Sequence, residues 1–449
     1  MNTTKTVKAP KGSIIGGNLD EFRKGPLAFF DKLRTEYKDV AKMRLANRTI
    51  YVLMSPDIIK EALVSKADSF IKSRALKEIM PLIGEGLLTS EGEFHMRQRR
   101  MMQPSFKKGH IQSYAEIMRI IASDTVNKWN EDEVRNTHVD MMNITLAIIS
   151  KTMFSSDIQE SHDTIGHPID DANYIATKRI RSIFKLPYQI PTKENLKFQD
   201  AVRILDEVVF NIIEKRRQDA GKKKYEDLLG ILMATVDETD QSVMTDRQIR
   251  DEAMTIFLAG HETTANAMSW CLYLLAKHPE IQKKVHFEID NSIGSGPVKL
   301  EHTEQLAYLK NTIQESLRLY PPAWFFGREA KEDVQVGDLI IKKGQDVMYS
   351  PYITHRLEEY YDQPHSFIPE RFENQFLKTI PSYAYFPFGG GPRVCIGNHF
   401  AMLEATIVMA TILQNYSVSL TSPDQTVTPE ALITLKPKDG LPLRMVRRK

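Results

Sequence analysis

The chain has 449 residues, of which 42% are hydrophobic and 26% charged, a balance that supports a large buried core in an ordinary globular protein. Lys and Arg total 60 against 58 Asp and Glu, a formal charge of +2 that excludes a global electrostatic drive toward nucleic acid or an anionic membrane surface. Only two cysteines, Cys271 and Cys395, are present, which excludes a disulfide scaffold and a four-thiolate metal site and makes the cytosol the simplest compartment.

The opening MNTTKTVKAPKGSIIGG contains nothing near the roughly 20 apolar residues of a membrane span, so no integral membrane anchor is expected there. Helical periodicity follows over 20–37, strand alternation over 41–55, and helical patterns again over 57–68, 110–130 and 196–218. A long helical series starts near 246. Two further strand-like islands, 334–350 and a hairpin over 431–446, complete the reading, with glycines supplying the turns. The expected fold class is mostly α with minor antiparallel β, in one domain over 1–449, because no repeat or composition break demands another.

In MTDRQIRDEAMTIFLAGHETTANAMSWCLYLLAKHPE, Thr245 and Gln248 are spaced for a capping box and Pro279 marks a stop. About 32 residues at 1.5 Å rise make a helix of roughly 48 Å, long enough to cross a domain. Near its middle, Gly260 removes a side chain, while Thr263 and Thr264 can satisfy a local carbonyl or open a kink beside a flat ligand. AGHETT equally fits a packed helix with a tolerated glycine, and His261 fits a surface or hydrogen-bonded histidine.

NTIQESLRLYPP sets Glu315 and Arg318 on one helical face, and Arg371 in FIPERF is suited to join them. The trio reads either as a local salt bridge or as a buried scaffold for a ligand loop. PFGGGPRVCIGNHF places Cys395 among Gly389, Gly390, Gly391 and Gly397, which permit a tight turn and close approach of a flat cofactor. The helix starting near Asn398 is positioned to aim amide donors at the sulfur, and Arg393 to pair an anionic cofactor edge. Haem-thiolate ligation therefore suits the loop better than zinc, which needs several further ligands. A phosphate loop is excluded by the absence of its terminal Lys and Ser or Thr.

The pattern Phe388, Gly391, Arg393, Cys395, Gly397, joined in chain order with AGHETT at 259–264, ESLR at 315–318 and PERF at 369–372, resembles the cytochrome P450 family. The resemblance covers residues 5–447. It implies a triangular helical prism with a small β-rich region and a long helix crossing over haem b. It also implies Cys395 as the axial iron ligand, Phe388 beneath the porphyrin, and propionate contacts from Arg393, Arg328, Arg99 and His95, the last standing where the family often has tryptophan. Glu315, Arg318 and Arg371 resemble the family's structural charge triad, and Glu262 with Thr263 its acid and alcohol for oxygen protonation. That pair implies reductive oxygen activation rather than peroxide use.

Electrons are then expected from NAD(P)H through a separate ferredoxin or flavodoxin-like donor and its reductase, since no reductase follows the haem segment. Arg97, Arg100, Lys107 and Lys108 in RQRRMMQPSFKK are candidates to steer an acidic donor, or to form a solvated basic face. The resemblance points to pocket walls at Leu87, Leu88, Ala259, Ala323, Trp324 and Phe325, and to an access segment at 182–192. Long-chain fatty acid hydroxylation is the first substrate expectation, with Arg48 either attracting the carboxylate or held in a salt bridge. Terpenoid or steroid hydroxylation is the alternative, and a haem-based sensor or redox carrier the alternative of another class.

Overall fold

The computed structural model describes residues 7–155, 166–182, 185–219, 225, 227–236 and 242–448. Helices dominate. The sequence pattern over 20–37 yields two of them, Leu19–Lys24 and Pro26–Glu36, because Pro26 drives Gly25 out of helical geometry and opens the second helix at its first position. Likewise 57–68 becomes Pro56–Lys60 running into a wider turn at Glu61–Ser65, and 110–130 divides at Tyr114 into Lys108–Ser113 and Ala115–Val126. The 196–218 pattern is a single helix, Lys193–Gln218, capped by the Thr192 hydroxyl.

Twelve short strands lie among the described residues: β1 Val40–Leu45, β2 Arg48–Leu53, β3 Phe70–Lys72, β4 Asp132–Asn136, β5 Phe326–Ala330, β6 Val334–Val336, β7 Leu339–Ile341, β8 Asp346–Tyr349, β9 Tyr416–Leu420, β10 Pro429–Ala431, β11 Leu435–Pro437 and β12 Pro442–Arg447. The largest sheet has the order β1-β2-β8-β5-β3, antiparallel except for the β2–β8 pair. Gly337 at φ +54° closes the β6–β7 hairpin, and β8 leaves that hairpin for the larger sheet. The expected hairpin over 431–446 is corrected. β11 pairs back with β10, whereas β12 sits between β4 and β9, so its alternating Leu443 and Met445 bury against a different layer.

The long helix spans Asp246–Lys277, 32 residues, with the Gln248 amide donating to the Thr245 hydroxyl and the Gln248 side chain accepting from the Thr245 amide at 2.8 Å. Pro279 ends it by opening the next helix, Pro279–Ser292. Most of its length is buried, and it packs closely on Thr137–Phe154. A Cβ built on Gly260 would lie 2.5 Å from Ile149 Cδ1. That glycine serves helix–helix contact. No described helix is long and apolar enough to cross a membrane.

Gly260→Ala is expected to destabilise the protein by about 1–3 kcal/mol through overpacking, measured by denaturant unfolding, and Ile149→Val in the same chain to restore most of that loss by removing the clashing methyl.

Candidate active site

The Cys395 loop is shaped by contacts on its outer side. Gly391, at φ +65°, would place a Cβ 2.0 Å from the Leu63 carbonyl oxygen, and a Cβ on Gly390 would meet the Tyr383 hydroxyl at 2.4 Å. Both glycines answer to protein neighbours, and Gly391 takes the tight turn expected of it. The Cys395 amide donates to the Phe388 carbonyl at 2.9 Å and closes the loop. Gly397 begins the helix Asn398–Asn415, and its amide donates toward Cys395 Sγ. Burial pushes the thiol up, while that amide and Arg99 pull it down. The side chain keeps accessible surface although it lies deep in the fold, so the sulfur faces an interior space.

Four cations converge beside this loop. Arg393 donates to Glu91 Oε2 at 2.5 Å and to the Ser90 carbonyl at 2.9 Å; Arg99 reaches the Val394 carbonyl at 2.9 Å; Arg328 reaches its neighbour Gly327's carbonyl at 2.9 Å. Lys72 is the fourth, and it stands in β3 directly opposite Arg328 in β5. Burial holds its ammonium well below the usual lysine range, and Arg328, Arg393 and Arg99 push it the same way. His95 bonds through Nδ1 to the Leu87 carbonyl at 3.1 Å, its Nε2 is buried without a partner, and burial beside Arg393 lowers its pKa to about 3. A cavity of about 700 Å³ is lined by Lys72, Glu91, His95, Arg328 and Arg393.

This charge balance tests the haem expectation. Of the half-buried Lys72, Arg99, Arg328 and Arg393, Arg393 is ion-paired, to Glu91, while Asp68 and Glu93 also line the cavity; a group bearing two carboxylates, as haem does, would supply anions to the others. Among the described residues no three His, Cys, Asp or Glu gather as a metal site, which suits an iron held by a single protein ligand. The residues fit. Lys72 escaped the sequence reading because only the β3–β5 register brings it to Arg328.

On the long helix, Ala259 is exposed and Thr263 half-buried amid buried neighbours, so this face also borders an interior space. Thr263 Oγ1 donates to the Ala259 carbonyl at 2.6 Å. Glu262, about 100° further round the helix, points elsewhere. Its carboxyl accepts from Asn173 Nδ2 at 2.7 Å and from the Thr434 hydroxyl, and burial raises its pKa against those bonds. The acid and alcohol thus stand on different faces.

Glu315 and Arg318 form a two-pronged pair at 2.7 and 2.8 Å, both wholly buried on the helix Ala307–Leu319. Arg318 also donates to the carbonyls of His355, Pro364 and Ser366, and Glu315 accepts the Ile368 amide at 3.0 Å. Arg371 stands 3.5 Å from Glu315 and adds charge more than a hydrogen bond. From the same segment, His355 Nε2 accepts the Phe386 amide at 2.9 Å, at the entry to the Cys395 loop, and burial near Arg318 and Arg356 keeps the ring neutral.

Of the expected pocket walls, Leu88 and Ala259 are exposed, Ala323 and Phe325 half-buried, and Leu87 buried. Trp324 is corrected: it is fully buried against Phe22, Phe30 and Phe325 and donates to the Leu432 carbonyl at 3.0 Å, so it belongs to the core under the β1–β2 sheet. Arg48 is held by Asp346 at 2.5 Å and Glu329 at 3.1 Å, which realises its salt-bridge reading. Within the expected access segment, Ile183 and Phe184 lie outside the described residues.

The sequence model of the family described as Cytochrome P450 matches residues 8–443. The chain belongs to the cytochrome P450 family. Cyclooctatin synthase of Streptomyces melanosporofaciens is 31% identical over 406 residues, 90% of this chain and 88% of its own. Pentalenene oxygenase of Streptomyces avermitilis is 30% identical over 445 residues, covering 98% of this P450 and 97% of the relative. Cyclooctat-9-en-7-ol 5-monooxygenase of Streptomyces melanosporofaciens is 28% identical over 412 residues, 92% and 89% of the two chains. This P450 is a monooxygenase of the haem-dependent type.

Glu315→Ala strands a fully buried guanidinium, and a loss of about 3–5 kcal/mol is expected with impaired haem loading, read by unfolding and by haem content per chain. Arg371→Ala, which removes a longer contact, is expected to cost less in both measurements.

Proposed function

We propose that this P450 hydroxylates a cyclic terpenoid hydrocarbon, with Cys395 as the residue that would hold the iron of haem b and electrons delivered from NAD(P)H through a separate carrier. The observation that carries the substrate class is the state of Arg48. Its guanidinium is committed to Asp346 and Glu329, so the cation expected to anchor a fatty-acid carboxylate has no free charge to offer. The exposed walls, Leu88 and Ala259, are apolar. The names pentalenene oxygenase and cyclooctat-9-en-7-ol 5-monooxygenase, which specify cyclic alkenes, favour the same reading.

Haem, when bound, supplies reductive activation of dioxygen. The chain's part is positional. Phe388 packs on the core beside the thiol, and Arg99, Arg328, Arg393 and Lys72 would hold the two propionates. Thr263 presents a hydroxyl already donating to Ala259, so its oxygen is free to accept a proton donor's hydrogen bond from the interior space. Glu262 points to a different face, its pKa raised by burial, with Lys436 and Asp170 acting on its charge. An acid and an alcohol at these positions favour an oxygenase over a passive redox carrier. On the sulfur side, Phe106 stands 3.8 Å from where a Cβ on Gly397 would lie, and the exposed Lys107 and Lys108 follow it, with Lys310 near Lys108. They form the cationic surface for an acidic ferredoxin or flavodoxin-like donor.

Reconstitution with a ferredoxin and its reductase, followed by product identification from terpene hydrocarbons and fatty acids side by side, tests the substrate class: oxygenated terpene without fatty-acid turnover is expected, and the reverse overturns it. Cys395→Ser is expected to abolish the thiolate signature of the ferrous carbonyl spectrum. Lys107→Glu with Lys108→Glu should slow reduction on the order of 10-fold at low salt, with the difference shrinking as salt rises.

A further inference from the structure

Residues 82–90, IGEGLLTS with the preceding leucine, are seated on the first turns of the long helix by three consecutive side chains. Arg250 donates to the Leu82 carbonyl at 2.9 Å, Asp251 accepts the Glu85 amide at 2.9 Å, and Glu252 accepts the Leu87 amide at 2.9 Å. The fit is close: a Cβ on Gly86 would lie 2.2 Å from Thr255 Oγ1. Glu252 also accepts from Gln98 Nε2 at 3.0 Å, and the Leu87 carbonyl in turn meets His95 Nδ1 at 3.1 Å. Between buried Leu87 and buried Thr89, Leu88 keeps accessible surface, 39% exposed.

Glu252, Ile256, Ala259 and Thr263 share one face of this helix, with Ala259 about 10 Å and Thr263 about 16 Å along the axis from Glu252. The loop covers the start of the very face that goes on to border the interior space. Resting on the monooxygenase reading above, we propose that Glu252 is a positioning residue: by accepting the Leu87 amide it sets where Leu88 stands over the long helix, and so which carbon of the substrate is presented. It touches no substrate itself.

Glu252 serves through its lone pairs. The neighbouring guanidinium of Arg250 is occupied by Asp206 and Asp251, and burial raises the Glu252 pKa to about 7 despite the bonds from Leu87 and Gln98. A neutral amide meets the same need. In Glu252→Gln the new carbonyl accepts the Leu87 amide, and the new NH2 donates to Gln98 Oε1, which is buried without a partner and comes into place by an amide flip. Glu252→Met keeps the volume and removes both acceptors.

The test uses the haem-loaded enzyme carrying Leu88→Cys, with the parent chain as background for Cys271 and Cys395. Maleimide labelling of position 88 is expected to quicken at least 5-fold in Glu252→Met and to stay within about 2-fold in Glu252→Gln. With the native Leu88 and a terpene hydrocarbon as substrate, the ratio of hydroxylated positions is expected to shift in Glu252→Met and to return in Glu252→Gln. If Glu252→Met does not load haem, Gln98→Leu, which removes one donor to Glu252 and loosens its aim, and Gly86→Ala, which pushes the loop off Thr255, are expected to give the same shift. Unchanged labelling in these variants, or Glu252→Gln behaving as Glu252→Met, overturns the proposal. Labelling does not depend on the substrate, so an enzyme that oxidises only fatty acids overturns the terpenoid reading and leaves this result standing on its own.

Discussion

One buried ion pair organises the thiolate side of this molecule. Glu315 and Arg318 are both without accessible surface, and ionised groups so placed are tolerated only when every lone pair and proton is engaged. The engagement is what shapes the chain. Arg318 spends its remaining donors on three carbonyls between His355 and Ser366, and Glu315 takes the Ile368 amide, so a segment without regular structure is held by one helix. From that segment His355 grips Phe386, and the loop bearing Cys395 begins two residues later. The pair's contribution is better described as fixing a position than as adding stability.

A second constraint is electrostatic and lies across the loop. Lys72, Arg99, Arg328 and Arg393 arrive from four different segments, and Glu91 answers only part of their charge. A dianionic group entering there would relieve the repulsion among them, and binding only the folded chain it would stabilise the fold. His95 belongs to the same cluster, its pKa lowered to about 3 by burial and by Arg393, with Nε2 buried and without a hydrogen-bond partner.

The long helix divides its labour by face. Glu252, Ala259 and Thr263 look along one side toward loop 82–90 and the interior space, Gly260 gives the backbone to Ile149, and Glu262 reaches Asn173 and Thr434. Adjacent letters in AGHETT therefore serve separate elements, because a helix turns about 100° per residue. Read in line, Glu262 and Thr263 look like partners. In three dimensions each has its own.

The sequence by itself determined the family, the identity of the thiol, the extent of the long helix with its Thr245 cap, and the Glu315–Arg318 pair, since all of these rest on local spacing and on interactions within a few residues. Strand alternation located β1, β2, β6 and β7 but misjudged 431–446, where pairing partners lie far away in the chain. Only the tertiary structure decided that Lys72 joins the cationic cluster, that Arg48 is neutralised by Asp346 and Glu329, that Trp324 is core, and that Glu252 holds Leu87. Each of those facts is a contact between segments separated by more than a hundred residues, or a burial created by such contacts. Side-chain type fixes what a residue is able to bond; which partner it meets is settled by how the helices and sheets close around it.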